Sequence, residues 1–401
     1  ASHLHTHQHT SMALASGDHA AVALPSYVPK EAAALVSRSS CVRLTFVFFF
    51  LPHATCRLIM NWIETDGEFP PEANRYHLFI NFLCGWSHRT MLVRAAKGLE
   101  NVVTMSHVGL DFVGSRSEGT YEGWSVPPDE PTGNEFRTTF DVYNSNNPTY
   151  GAKQLAIPIL FDTKTKRVVN NDSVSICFMF AYAFDAFARR PDLDLYPSSL
   201  RADINQVNNA LYPAVQNGVY TAGFASDDAS HEAARTRLYE ALDATEQRLA
   251  LKRSKDDRGW LCGESESSSS SSYTMADLFA FCHHFRFDAI YHFLFLRGRG
   301  DKIATAYPNI AAHVKRVYDD VPGAKETCDL HLATVGYAIL PSKGKTLTPE
   351  NAPDIFRKEK WTWYPDLADL LPNRAAHGLK PDYPIGFCTG YTGDDLRNLV
   401  S

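Results

Sequence analysis

Between Tyr76 and Lys97 an apolar run, YHLFINF, stops at Cys84-Gly85-Trp86-Ser87 and gives way to a helix-period stretch. That stretch, His88 to Lys97, carries Met91, Leu92 and Ala95 on one face. Asn101 to Val108 reads as a second strand. After a long loop, Ala156 to Asp162 and Arg167 to Asn170 form a hairpin with its turn at Thr163 to Lys166, and Ser173 to Ala188 reads as a helix. The junction at Cys84, with the order of elements behind it, narrows the fold more than any bulk property of the chain.

The order β-α-β, loop, β-β-α is what a thioredoxin-like domain requires. The rest of the chain reads as helical: Arg201 to Tyr212, Ser230 to Lys252, Met275 to Tyr291 and Ala311 to Val321 all carry apolar positions at helical spacing. The fold expected is an α/β thioredoxin-like N-terminal domain at 59–190 and an all-α domain at 191–341. Ser265 to Ser272 is almost pure serine and reads as a solvated loop insertion. The segment 342–401 is proline- and aromatic-rich and reads as an irregular arm.

Ahead of these, residues 1–58 are rich in Ala, Ser and His and nearly free of acids, Asp18 and Glu31 excepted. That composition reads as a disordered or targeting-like segment. His3, His5, His7 and His9 alternate in a pattern that chelates metal in some tails, though a disordered end is the plainer reading. Leu44 to Leu51 is the most apolar run, either a buried strand or the core of a targeting peptide. At about eight residues it is far short of the roughly 20 that a spanning helix requires. With 39 basic against 45 acidic residues the net charge is −6, which does not suit a general nucleic-acid binder. The eight cysteines are scattered, with no C-x-x-C pair or zinc-like cluster, so no metal site is expected and a reducing compartment fits.

Three features carry chemistry. Cys84, at the start of a helix, faces free N–H groups and the positive helix end, which lowers a thiol pKa, and His88 and Arg89 lie close by in sequence. Taken alone, a half-buried cysteine is the commoner meaning of such a residue. Ile157-Pro158 puts proline before a strand, where it disrupts the ladder unless it has a purpose. Asn170-Asn171-Asp172-Ser173 opens a helix with Asp172 or Ser173 as N-cap, a natural place for a carboxylate or an amine. Thr274-Met275-Ala276-Asp277 is a capping-box variant and structural.

These segments together resemble the glutathionyl-hydroquinone reductases, the xi class of glutathione transferases, over about two-thirds of the chain. RYHLFINFLCGWSHR (Arg75 to Arg89) is similar to the family's R-Y-H-L-Y…C-P-W-A-H-R. Glu122-Gly123-Trp124-Ser125 is similar to its G-W element, IPILFD (157–162) to V-P-V-L-W-D, and NNDS (170–173) to N-N-E-S. NGVYTAGF (217–224), RFDAIY (286–291) and Tyr307-Pro308-Asn309 are similar to its helical half. Gly85 stands where proline is usual and Asp172 where glutamate is. A family arginine falls at Lys153 or Gln154, and H-Y-Y reads Val335-Gly336-Tyr337.

The resemblance implies a glutathione-dependent enzyme with Cys84 as nucleophile and glutathione as co-substrate. The peptide bond before Pro158 would be cis, and Ile157 would pair its backbone with the cysteinyl unit of glutathione. Asp172 and Ser173 would hold the γ-glutamyl end, and Trp124 and Gln154 would complete the glutathione site. Tyr220, Arg286, Tyr291 and Tyr337 would shape a pocket for an aromatic, hydroquinone-like substrate. It implies a homodimer, while the composition of residues 1–58 leaves the cytoplasm or, if that segment is a transit peptide, an organelle such as a plastid or mitochondrion as the compartment. The alternatives are another cysteine-type transferase activity (thioltransferase, dehydroascorbate reductase, thioether lyase) and a non-catalytic transferase-fold binding module.

Overall fold

The computed structural model describes residues 59–110, 112–113, 123–145, 156–223, 225, 227–253, 259–262, 273–339, 341–342 and 345–346. The readings of 1–58, of the serine-rich stretch, of Lys153 and Gln154 and of nearly all the C-terminal arm lie outside these residues.

In chain order, β1 (Tyr76–Ile80), α1 (Gly85–Lys97) and β2 (Val103–His107) come first. A short ribbon of β3 (Phe112–Val113) and β4 (Gly123–Trp124) follows, then α2 (Thr139–Asn144). The hairpin β5 (Ile159–Asp162) and β6 (Arg167–Asn170) leads into α3 (Ser173–Phe178). The main sheet has the order β2-β1-β5-β6. β1 runs parallel to β2, Tyr76 opposite Val103, and antiparallel to β5, Tyr76 opposite Asp162. Every β1 residue is buried, as expected of a central strand covered on both faces. Arg75 clamps the end of the β1–β5 pair with a bidentate ion pair to Asp162, at 2.9 and 2.7 Å. Burial alone would push the Asp162 carboxyl up. The Arg75 guanidinium, the Thr165 hydroxyl and the Lys164 N–H outweigh it and hold the group below its usual range.

α1 ends at Gly98, whose φ of 72° is left-handed and whose N–H returns to the carbonyls of Ala95 and Arg94. A side chain there would also meet Arg189 Cβ at 2.7 Å, so glycine is required on two counts.

The remaining described elements are almost all helices. α4 (Arg201–Leu211) passes through a π-helical turn, Tyr212–Gln216, into α5 (Gly218–Gly223), and α6 (Asp228–Arg253) follows. α7 (Met275–Arg286) ends in a π-helical turn, Phe287–Tyr291, before α8 (His292–Leu294), α9 (Ile303–Ala306), α10 (Pro308–Asp320) and α11 (Leu330–Ile339). A ribbon of β7 (Pro341–Ser342) and β8 (Lys345–Thr346) comes last. All twelve residues of α7 are buried, which marks it as the central helix of this half, packed against α1, α4 and α10. Its start is fixed by Asp277, whose carboxylate accepts from the Thr274 N–H (2.8 Å), the Leu261 N–H (2.7 Å) and His313 Nε2 (3.0 Å). None of the described helices is long and apolar enough to cross a membrane.

Several boundaries differ from the sequence reading. α1 starts at Gly85 rather than His88, because the cysteine itself caps it. α10 starts at Pro308 rather than Ala311, since proline is well placed at a first helical position. The helix from Ser173 leaves regular α geometry at Met179 for a π-helical turn, Met179–Ala183.

Candidate active site

Three residues, Asn81 to Leu83, connect β1 to Cys84, and each is tied down. Asn81 donates from Nδ2 to the Gly109 carbonyl (2.9 Å) and accepts the Leu83 N–H (3.1 Å). The Phe82 N–H donates to His107 Nε2 at 3.1 Å. From α7, Arg286 donates to the Phe82 carbonyl (2.7 Å) and the Leu83 carbonyl (3.2 Å). Cys84 therefore leaves the strand on a fixed path, with extended backbone angles (φ −83°, ψ 116°), and caps α1. Its sulfur accepts the Ser87 N–H at 3.4 Å and lies 3.7 Å from the Ile157 carbonyl, to which the thiol donates. The Ile157–Pro158 peptide bond is cis, as expected.

The thiol does not follow the simple expectation for a helix start. Burial pushes the Cys84 thiol up, and this outweighs the Ser87 and Trp86 N–H groups and the charge of Arg286, all of which act to lower it. His88 and Arg89, expected to supply positive charge, are engaged elsewhere. His88 accepts from Arg286 at Nδ1 (2.7 Å), which puts its own proton on Nε2, facing Thr327 Oγ1 at 3.1 Å. Arg89 lies between the rings of Trp86 and Phe279, 4.4 Å from each, and donates to Gln216.

Arg286 is likewise engaged. It is fully buried, and besides the two loop carbonyls and His88 it donates to the Cys282 carbonyl at 2.8 Å. Its guanidinium holds the loop in front of Cys84, and its charge also acts on the Tyr291 and Tyr337 phenols. Three tyrosines do form a cluster. Tyr220 of α5 meets Tyr337 of α11 at 2.7 Å between hydroxyls, and Tyr291, at the end of the α7 π-turn, at 3.4 Å. Burial raises the pKa of all three phenols, and each feels the charge of Cys84, so the cluster is neutral and near the sulfur. Trp86 stacks on Tyr220 at 6.3 Å between centroids.

Asp172 is the N-cap of α3, accepting from the Ser175 N–H (2.8 Å) and hydroxyl (2.7 Å), and Ser173 is the first helical residue. Trp124 sits on the β3–β4 ribbon outside the main sheet, with its backbone N–H donating to Thr139 Oγ1. Gln154 lies outside the described residues. The structure thus brings together Cys84, Ile157, Pro158, Tyr220, Tyr291 and Tyr337. Arg286 lies beneath them, and Asp172 and Ser173 stand at the start of the second helix.

Sequence reasoning missed one neighbour, His283. The His283 imidazole of α7 is fully buried, with the Phe279 backbone and the charges of Arg89 and Arg286 acting on it. A β-carbon on Gly85 would lie 3.1 Å from its Nε2 and 3.3 Å from the Tyr291 hydroxyl. Gly336 likewise has no side-chain room: a β-carbon there would meet Leu83 at 2.8 and 2.9 Å and Leu110 at 3.1 Å. Both glycines stand at departures from the family pattern, and both are filled by a neighbour. The adjacent histidines in an otherwise apolar helix were the one signal available for His283. Among the described residues, no group of three or more His, Cys, Asp or Glu side chains is placed to hold a metal ion.

Comparison with known proteins agrees with this layout. The family model for the glutathione S-transferase C-terminal domain matches residues 228–316. Glutathionyl-hydroquinone reductase PcpF of Sphingobium chlorophenolicum is 35% identical over 255 residues, covering 63% of this chain and 74% of the relative. The crystal structure of the glutathione S-transferase Xi from Phanerochaete chrysosporium superposes with a TM-score of 0.61 at 32% identity, over 71% of this chain and 91% of that one. The glutathione-bound structure of YqjG from Escherichia coli K-12 gives 0.59 at 29% identity, over 70% and 87%. A thioredoxin-like sheet joined to an all-helical domain defines a glutathione transferase, and the chain belongs to the xi class of that group, the glutathionyl-hydroquinone reductases. It is an enzyme of the glutathione transferase type, a glutathione-dependent reductase.

Proposed function

We propose that the protein removes glutathione from glutathionyl-hydroquinones through a mixed disulfide on Cys84. The observation that carries the reading is the placement of three neutral, hydrogen-bonded phenols beside the Cys84 sulfur. In the first step the Cys84 thiolate attacks the glutathionyl sulfur. The bond from that sulfur to the ring carbon breaks, the carbon takes a proton, and the hydroquinone leaves. In the second step a glutathione thiolate attacks the mixed disulfide and releases oxidised glutathione and the Cys84 thiolate, so no second protein cysteine is needed. Tyr220, Tyr291 and Tyr337 stay protonated at neutral pH because burial disfavours the phenolate, which suits them to donate to the substrate ring.

In the same reading Ile157 offers its main chain to the cysteinyl part of glutathione, Asp172 and Ser173 receive the γ-glutamyl end, and Trp124 and Gln154 line the remainder. Residues 59–190 form the glutathione-binding domain and 191–341 the helical one. A homodimer is supported by the resemblance alone. Gly336, where the family pattern has tyrosine, favours a second reading in which the acceptor pocket takes a different substrate, such as dehydroascorbate or a small mixed disulfide.

The test is turnover of a glutathionyl-hydroquinone with excess glutathione, following release of oxidised glutathione, with Cys84→Ser in parallel. The reading expects turnover that falls by about a thousandfold or more in the variant. Turnover that survives in Cys84→Ser would sink it. Inactivity toward the hydroquinone with activity on dehydroascorbate would move the assignment to the second reading.

A further inference from the structure

The chain between β2 and β5 reads from the sequence only as a long loop, yet it holds α2, and α2 is firmly fixed. Thr138 starts it with a capping box: its hydroxyl accepts the Asp141 N–H at 3.4 Å, and the Asp141 carboxylate accepts the Thr138 N–H at 2.9 Å. Near its end stands Tyr143, a buried side chain. The Tyr143 hydroxyl donates to the Ala156 carbonyl at 2.7 Å and accepts from Asn171 Nδ2 at 3.2 Å. Ala156 directly precedes Ile157 and the cis bond to Pro158, and Asn171 directly precedes Asp172. Asn171 is held in turn by Ile59, whose N–H donates to its Oδ1 (2.8 Å) and whose carbonyl accepts its N–H (3.3 Å). One turn back along α2, Thr139 Oγ1 accepts the Trp124 N–H at 3.1 Å. This short helix therefore touches, through two side chains, the segments that carry Trp124, Ile157 and Asp172.

We infer that Tyr143 is a positioning residue of the glutathione site, whose hydroxyl sets the spacing between the segment at Ile157 and the segment at Asp172. This rests on the roles given to those segments in the proposed function, Ile157 for the cysteinyl unit and Asp172 and Ser173 for the γ-glutamyl end. The β5–β6 ladder ends at Leu160 opposite Asn170. Beyond that pair the two segments are joined through the Tyr143 phenol, one hydrogen bond to each. A ligand that spans two segments gains the full worth of the second contact only when their separation is already correct, since any ordering left to the moment of binding is subtracted from affinity. Tyr143 touches neither end of the ligand in this reading and acts only through Ala156 and Asn171.

The experiment compares the full chain with Tyr143→Phe, which keeps the ring and removes only the hydroxyl. Titration calorimetry gives the dissociation constants of reduced glutathione and of cysteinylglycine, which lacks the γ-glutamyl end and so engages one segment alone. Tyr143→Phe is expected to weaken glutathione about tenfold while cysteinylglycine changes by less than about twofold, which narrows the gap between the two ligands. A merely structural role would weaken both ligands by the same factor, or lower the denaturant midpoint with glutathione affinity untouched. Either of those results overturns the inference and leaves the functional assignment standing. A parent chain that binds no glutathione overturns the assignment, and the inference falls with it.

Discussion

On its sheet side Cys84 meets main chain: the Ile157 carbonyl before Pro158, and the N–H groups of its own first helical turn. On its helical side it meets side chains: the Tyr220, Tyr291 and Tyr337 hydroxyls, the Arg286 guanidinium and, behind Gly85, the His283 imidazole. Main-chain groups are present whatever residue occupies a position, so the first side tolerates Ile157 for valine without losing its donors and acceptors. Side-chain groups are lost or moved by single substitutions. The second side accordingly holds the closest repacking, with His283 against Gly85 and Leu83 against Gly336. A transferase of this build can keep its grip on a constant co-substrate while its second pocket changes.

The contrast should be visible in how acid unfolds the two halves. Burial holds His77 of β1 and His284 of α7 neutral down to about pH 3, and it pushes His283 well below its ordinary value. Unfolded imidazoles take up protons near pH 6.5, whereas these rings do not until the pH is far lower. Their contribution to stability is therefore complete above about pH 6.5 and is lost as the pH falls toward the folded values. Each ring adds a slope of up to about 1.4 kcal/mol per pH unit, so the three together approach about 4 kcal/mol per unit. Urea unfolding between pH 7 and 5 measures this. His77→Gln should remove about a third of the slope and the pair on α7 the rest. A flat profile would show that the rings protonate in place.

Arg286 is the point where the helical half reaches into the sheet half, and losing it should cost next most. Arg286→Gln leaves the Phe82 and Leu83 carbonyls and His88 Nδ1 without their donor, a loss of about 3–5 kcal/mol in unfolding free energy. Lysine keeps the charge but not the planar fork, and is expected to restore less than half of it. If Arg286→Lys matched the parent in denaturant midpoint, charge alone would be what joins the two sides.

How much of this was legible depends on the range of the interactions. The β1–Cys84–α1 junction, the hairpin turn at 163–166 and the cap at Asp172 follow from residues within a few positions of one another, and the sequence reading placed them. α1 was read three residues late because Gly85-Trp86-Ser87 is poor helix-forming sequence that only a cap at Cys84 makes helical. α11 was missed because Leu330 to Ile339 is apolar nearly throughout, with no helical period to detect. The role of Arg286 could not have been read, since its carbonyl partners lie 203 and 204 residues away in the chain. The same holds for the fall of Cys84 into a site whose burial raises its thiol, which depends on the packing of α7 and α11 over the helix start.

The smallest effect separates the two glycines. Gly336→Ala places a β-carbon 2.8–2.9 Å from Leu83, the residue before Cys84, and 3.1 Å from Leu110. Leu83 has little freedom to yield, because Arg286 holds its carbonyl and Asn81 its N–H. Overpacking of this kind costs about 1–3 kcal/mol, and here it pushes directly on the loop that positions the sulfur. Gly85→Ala meets His283 Nε2 at the longer distance of 3.1 Å, at the far end of a side chain rather than at a β-carbon. Its cost should be under about 1 kcal/mol. Denaturant midpoints and Cys84 alkylation rates on the two variants, side by side, test this. Gly336→Ala should lower both and Gly85→Ala should leave both near the parent's. The reverse order would mean that the α7 wall, not the α11 wall, is the rigid side of the site.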